Sequence, residues 1–109
     1  MSESLEQLMA RLRAEYLREV PDRLAELDGA IAAFEREDGL GRDRLIRLFH
    51  RLAGSAGAYG FGEVTRGCRE AEVALKGGLG PADSEQLRAT VTGLREAFAR
   101  GPTSPPIAP

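Results

Sequence analysis

A chain of 109 residues has room for one domain, and 42% hydrophobic residues suffice for a single modest core. The 29% charged residues favour a water-facing surface, and the net charge of −2 argues against a nucleic-acid partner. An apolar run of about 18 residues is missing, which excludes a membrane-spanning helix. Met1-Ser-Glu-Ser is not a basic start leading into an apolar stretch, so no secretory leader is expected. The single cysteine, Cys68, has no internal partner, which fits a reducing, cytoplasmic location. Cys and His do not cluster at metal-binding spacing, so neither a metal nor another cofactor is expected.

Ser4-Leu-Glu-Gln7 reads as a capping box that opens a first helix. Leu5, Leu8, Leu12, Tyr16 and Val20 then recur at helical spacing. Pro21 either ends this helix or sits in the first turn of the next, where its missing N–H costs little. Leu24, Leu27, Ile31 and Phe34 continue the pattern, and Asp38-Gly-Leu-Gly-Arg42 reads as a turn. A third helix is predicted from about Asp43 to Tyr59, broken by Gly60-Phe-Gly62. A fourth runs from about Glu63 to Lys76, with Val64, Cys68, Ala71 and Leu75 on one face. After Gly77-Gly-Leu-Gly-Pro81, a fifth starts between Pro81 and Ser84 and buries Leu87, Val91, Leu94 and Phe98.

Gly101-Pro102 closes the last helix in the usual order. The proline-rich residues 101–109 are expected to be a disordered tail behind a single domain over residues 1–100. No useful period-2 alternation appears, so no sheet is expected. Short connections make successive helices antiparallel. The predicted fold is all-α, an antiparallel up-down four-helix bundle with an additional N-terminal helix.

The third helix holds the only histidine. At helical spacing Leu45, Leu48, Phe49, Leu52 and Ala56 fall within about 60° of one direction, a core stripe. His50 lies about 140° from Leu45, off that stripe. Gly54 and Gly57 follow one and two turns later on the same side. A helical glycine costs about 1 kcal/mol relative to alanine. Two of them beside an off-stripe histidine imply space for another molecule to approach the imidazole.

The run His50-Arg-Leu52-Ala-Gly54-Ser55-Ala-Gly-Ala-Tyr59-Gly60 resembles the signature of histidine-containing phosphotransfer (HPt) domains. That signature reads His-x-Leu-Lys-Gly-Ser-Ser, three varied positions ending in an apolar one, then Gly. His50, Leu52, Gly54, Ser55 and Gly60 fall in place, and the match continues through Val64 and Cys68 to Glu72. Ala53 stands where the family usually has lysine, and Ala56 replaces the second serine. The flanking helices extend the resemblance over most of the chain.

A hairpin turning near Phe61 sets His50, about eleven residues before the turn, level with Glu72, about eleven after it. Lys76 is one turn beyond. The corresponding position in chemotaxis-kinase phosphotransfer domains is also a glutamate that holds the phosphorylated histidine, so the resemblance implies the same pair. A histidine nucleophile needs one nitrogen with a free lone pair and an acceptor that fixes the proton on the other. A carboxylate on Nδ1–H leaves Nε2 to take a phosphoryl group. Arg47, Arg51 and Lys76 are placed to supply the positive charge that a loose transition state favours. The alternative for Glu72 and Lys76 is an ordinary surface pair at i,i+4, and the Glu72–His50 pair itself is expected to be exposed. The partner surface is expected to centre on His50, with Ile46, Ala53, Gly54 and Gly57 in contact.

Other chemistry is poorly supported. Cys68 lies on a core stripe, Ser55 points about 140° away from His50, and Gly77–Gly80 is not followed by Gly-Lys-Ser/Thr. No kinase or ATP-binding activity is therefore expected. The resemblance implies a monomeric phosphoryl carrier between a sensor histidine kinase, or its receiver domain, and a response-regulator receiver, with Mg²⁺ supplied by the receiver. Two other readings stay open: the N-terminal phosphorylation domain of a chemotaxis-type histidine kinase, and a receiver-binding adaptor that accepts no phosphate.

Overall fold

A computed structural model describes residues 2–37 and 40–105. Four helices make up the fold among these residues: α1 (Leu5–Arg36), α2 (Arg42–Ala58), α3 (Gly62–Lys76) and α4 (Ser84–Arg100), the last entered through a 3₁₀ turn at Pro81–Asp83. No strand occurs in the described residues. No helix there is long and apolar enough to cross a membrane.

The two segments expected on either side of Pro21 are one continuous helix of 32 residues. Proline inside a helix removes one hydrogen bond and costs about 3 kcal/mol. Val20, Leu24, Leu27, Ile31 and Phe34 are all buried, and each contributes about 1.5–3 kcal/mol. Pro21 itself is exposed, where water reaches the carbonyl that its ring leaves unpaired. Packing therefore outweighs the local break. The additional N-terminal helix exists as the first turns of α1. Leu5 is 65% exposed, and the buried face begins only at Tyr16. Ser4 Oγ accepts from the Gln7 amide at 3.1 Å and the Ser4 amide donates to Gln7 Oε1 at 2.9 Å, forming the expected capping box.

The helices form a ring in which each touches its two neighbours. Cross-helix contacts give the directions. Tyr16 meets Ser55 while Glu26 approaches Arg44, so α1 and α2 run antiparallel. Thr65 meets Ala53, Glu72 meets His50 and Arg42 reaches Leu75, so α2 and α3 do too. Glu63 with Arg100, and Glu35 and Asp28 with Arg88 and Arg95, set α4 antiparallel to both α3 and α1. The core between them holds Phe34, Phe49, Phe61, Leu45 and Leu75, each almost wholly buried.

The α2–α3 turn fixes the register of the central hairpin. Gly60 has φ +88°, a conformation that favours glycine. Its amide donates to the Gly57 carbonyl and the Phe61 amide to the Ala56 carbonyl, a Schellman closure. The start of the tail, expected to be disordered, is tied to this turn: the amides of Thr103 and Ser104 donate to the Gly60 carbonyl at 2.8 and 3.2 Å. Arg13 of α1 donates to the carbonyl of Tyr59. Of the turn expected at Asp38–Arg42, Asp38 and Gly39 lie outside the described residues, as do tail residues 106–109. Gly41 adopts φ +89° and caps α2.

Candidate functional site

The site grows from one consequence of the α2 pattern. Leu45, Leu48, Phe49, Leu52 and Ala56 are buried, which turns the opposite side of the helix outward. His50 stands on that side with 77% of its side chain exposed. The α3 pattern does the converse with a carboxylate. Cys68, Ala71 and Leu75 commit α3 to the core, and Glu72 follows Ala71 into the α2–α3 seam. Its side chain is only 10% exposed, and it is the one buried charged residue among those described.

Glu72 Oε2 lies 3.3 Å from His50 Nδ1 and 3.7 Å from Lys76 Nζ. A buried carboxylate needs such partners to offset its lost hydration. The contact to the imidazole is at the long end of hydrogen-bond range. With the proton on Nδ1, the ring donates to the carboxylate and Nε2 keeps its lone pair. Among the described residues no group bonds Nε2. The expectation of an exposed pair is thus half corrected: His50 is exposed, and Glu72 is packed beneath it. Burial first, and the Glu72 charge second, push the Cys68 thiol up to about 12, so this cysteine is an unreactive core residue.

Two shallow clefts flank the imidazole. Ile46, Arg47, Arg51 and Lys76 line one with His50 and Glu72. Ala53, Gly54 and Arg69 line the other with the same pair. Ile46 is half-buried, and Arg47, Arg51 and Lys76 are exposed.

The remaining residues expected at the surface divide. A Cβ added at Gly54 would meet nothing within 4 Å, so this glycine does leave open space beside His50. A Cβ at Gly57 would lie 3.0 Å from Thr65 Oγ1, so its clearance serves the approach of α3. Ala53 is 3% exposed and is cleft floor more than contact surface. Its carbonyl accepts from Thr65 Oγ1 at 2.7 Å. Ser55 Oγ sits 2.9 Å from the Tyr16 hydroxyl and ties α2 to α1, away from the imidazole.

Two residues here were given no role from the sequence. Arg69 is exposed and lies level with Ala53 in the hairpin register; the turn arithmetic sets it nearly one turn before Glu72 but attaches no chemistry to it. Val73 is 71% exposed, one turn from both Arg69 and Lys76. Its signal was an apolar residue off the α3 stripe.

An exposed imidazole held through Nδ1 by a buried carboxylate, with cations on both sides, can act as a nucleophile toward an anionic electrophile. Comparison with curated proteins and with solved structures gives no significant match. The family model described as "Hpt domain" matches residues 11–100, which spans all four helices but the first two turns of α1. The chain therefore belongs to the Hpt domain family, the phosphotransfer domains of two-component signalling, whose members interact with kinases and response regulators.

Proposed function

We propose that this chain carries a phosphoryl group on His50, taking it from a sensor histidine kinase or its receiver domain and passing it to a response-regulator receiver. The observation that carries this reading is the exposed imidazole with Nδ1 at 3.3 Å from the buried Glu72 carboxylate. The Nε2 lone pair attacks the phosphorus of an aspartyl phosphate. The P–O bond to the aspartyl carboxylate breaks, and that carboxylate leaves. The ring gains positive charge as the N–P bond forms, and Glu72 stabilises it through Nδ1–H. Return transfer to a receiver aspartate reverses these steps.

The transition state spreads negative charge over three phosphoryl oxygens. Arg47 and Arg51 stand one turn before and one residue after His50, exposed and facing that charge, with Lys76 beside Glu72. Ile46 and Gly54 provide low, partly apolar ground around the imidazole for a receiver, and the Mg²⁺ is the receiver's. Receiver docking of this kind is transient, with a small interface and a salt-sensitive on-rate. Incubation with a labelled phospho-receiver tests the reading: acid-labile label on His50 supports it. Binding of the receiver with no label would instead favour the adaptor.

A further inference from the structure

The cations given a part in the transfer above all stand on one side of the imidazole. Arg47, Arg51 and Lys76 line the cleft on the Ile46 side. Lys76 is already engaged, with Nζ 3.7 Å from the same Glu72 oxygen that meets His50. The cleft on the Gly54 side has a different floor: the buried Ala53 methyl, and a glycine beside which a Cβ would find nothing within 4 Å. It is open enough for a tetrahedral anion to settle against the ring. Its single cation is Arg69.

Arg69 is exposed on α3, one turn before Glu72, so its stem rises from the helix that holds the carboxylate. No carboxylate among the described residues lies within ion-pair distance of it. Ten other arginines or lysines are engaged in such pairs or in carbonyl contacts, including Arg100 on Glu63 and Arg42 on the Leu75 carbonyl. An unengaged guanidinium beside a nucleophilic imidazole is suited to phosphate, since its planar fork matches two oxygens at once. A lysine on α2 at position 53 would reach this cleft from the His50 side. Arg69 reaches it from across the seam.

We infer that Arg69 holds the phosphoryl oxygens on the Gly54 side of His50 and supplies there the charge that Ala53 cannot. This rests on the carrier reading above and assigns a phosphate-binding residue to it.

The test uses phosphoramidate, a small donor that needs no partner protein. The Nε2 lone pair of His50 attacks phosphorus, the P–N bond breaks, ammonia leaves, and the Nδ1 proton stays on the ring. Labelling rates are followed by ³¹P NMR for wild type, Arg69→Ala, Arg69→Lys and Arg66→Ala. Arg66 is an exposed arginine on the same helix that lines the α3–α4 groove instead, so its loss controls for net charge. Arg69→Ala is expected to slow labelling about tenfold and to move the phosphohistidine ³¹P resonance. Arg69→Lys should recover part of the rate, and Arg66→Ala should match wild type. Equal rates and resonances for Arg69→Ala and Arg66→Ala would overturn the inference. A wild type that takes label at His50 but hands it to no receiver would sink the carrier reading, while the variant rates would still decide Arg69. No label at His50 in the wild type would overturn both.

Discussion

Glu72 lies beneath His50: a carboxylate with a tenth of its side chain exposed meets an imidazole with three quarters of its own exposed, through Nδ1 at 3.3 Å. The asymmetry separates stability from chemistry. Removing Glu72 strips a buried charge of its desolvation cost and leaves behind only two exposed cationic or neutral groups that water can serve. Replacing it should therefore change stability by no more than about 1 kcal/mol, unlike a pair in which the surviving partner stays buried. Transfer should suffer more. Glu72→Ala is expected to slow phosphoryl acceptance about tenfold or more and to loosen the Nδ1–H tautomer. Glu72→Gln, whose amide oxygen still accepts, should lie between. Transfer rates and ¹⁵N chemical shifts of the ring check both; unchanged values for Glu72→Ala would reduce Glu72 to a partner of Lys76.

Gly54 and Gly57 should part company under substitution. Helix propensity alone gives Gly54→Ala a gain of about 1 kcal/mol, since the added methyl meets nothing. Gly54→Leu should keep that stability and impair receiver transfer by standing one turn from the imidazole. Gly57→Ala pushes a methyl to 3.0 Å from Thr65 Oγ1 and works against the hydrogen bond to Ala53, so it should show less of the gain or a loss. Denaturant titration of each, with transfer kinetics for Gly54→Leu, decides the matter. Undiminished transfer in Gly54→Leu would contradict the clearance argument.

How far the sequence carried this picture depended on which pattern was read. The α2 stripe, the hairpin turn at Gly60 and the level of Glu72 followed from spacing, because helical geometry ties residue number to direction and height. The continuity of α1 through Pro21 did not, since local propensity says break and only the buried run from Val20 to Phe34 outweighs it. The burial of Glu72 was likewise hidden. A glutamate one residue past Ala71 reads as helix edge until α2 is laid against it. Gly57 was misread for a related reason: a glycine that admits a partner and one that admits a neighbouring helix look alike in a single chain. Ser55 matched the family signature, yet its contact is with Tyr16, on an element 39 residues away.

That contact is testable. Burial pushes the Tyr16 phenol up, and its hydroxyl depends on Ser55 Oγ at 2.9 Å. Ser55→Ala should cost about 1–3 kcal/mol by leaving a largely buried hydroxyl without its partner. Tyr16→Phe should cost less, since Ser55 Oγ still donates to the Leu52 carbonyl. Phosphoramidate labelling of His50 should be unchanged in both. A double-mutant cycle in urea measures the coupling, and a coupling near zero would mean that the bond adds nothing.

Cys68 gives a pH dependence with a defined sign. Its folded thiol is raised from the ordinary 9.0 to about 12, so the folded state holds the proton more tightly than the unfolded chain. The stability tied to the neutral thiol is whole below pH 9.0 and is lost as the pH climbs toward about 12. At pH 8 iodoacetamide should modify the unfolded protein far faster than the native one. Equal rates would show that Cys68 is not packed in the core.

The central claim is that His50 is the phosphoryl acceptor and that its exposure separates this role from folding. The direct measurement is the acid-labile label taken from a phosphorylated receiver by wild type and by His50→Gln, with urea titrations of both. Label on the wild type, none on His50→Gln, and midpoints equal to within about 0.5 kcal/mol are expected. Label retained by His50→Gln, or a loss of several kcal/mol on substitution, would contradict it.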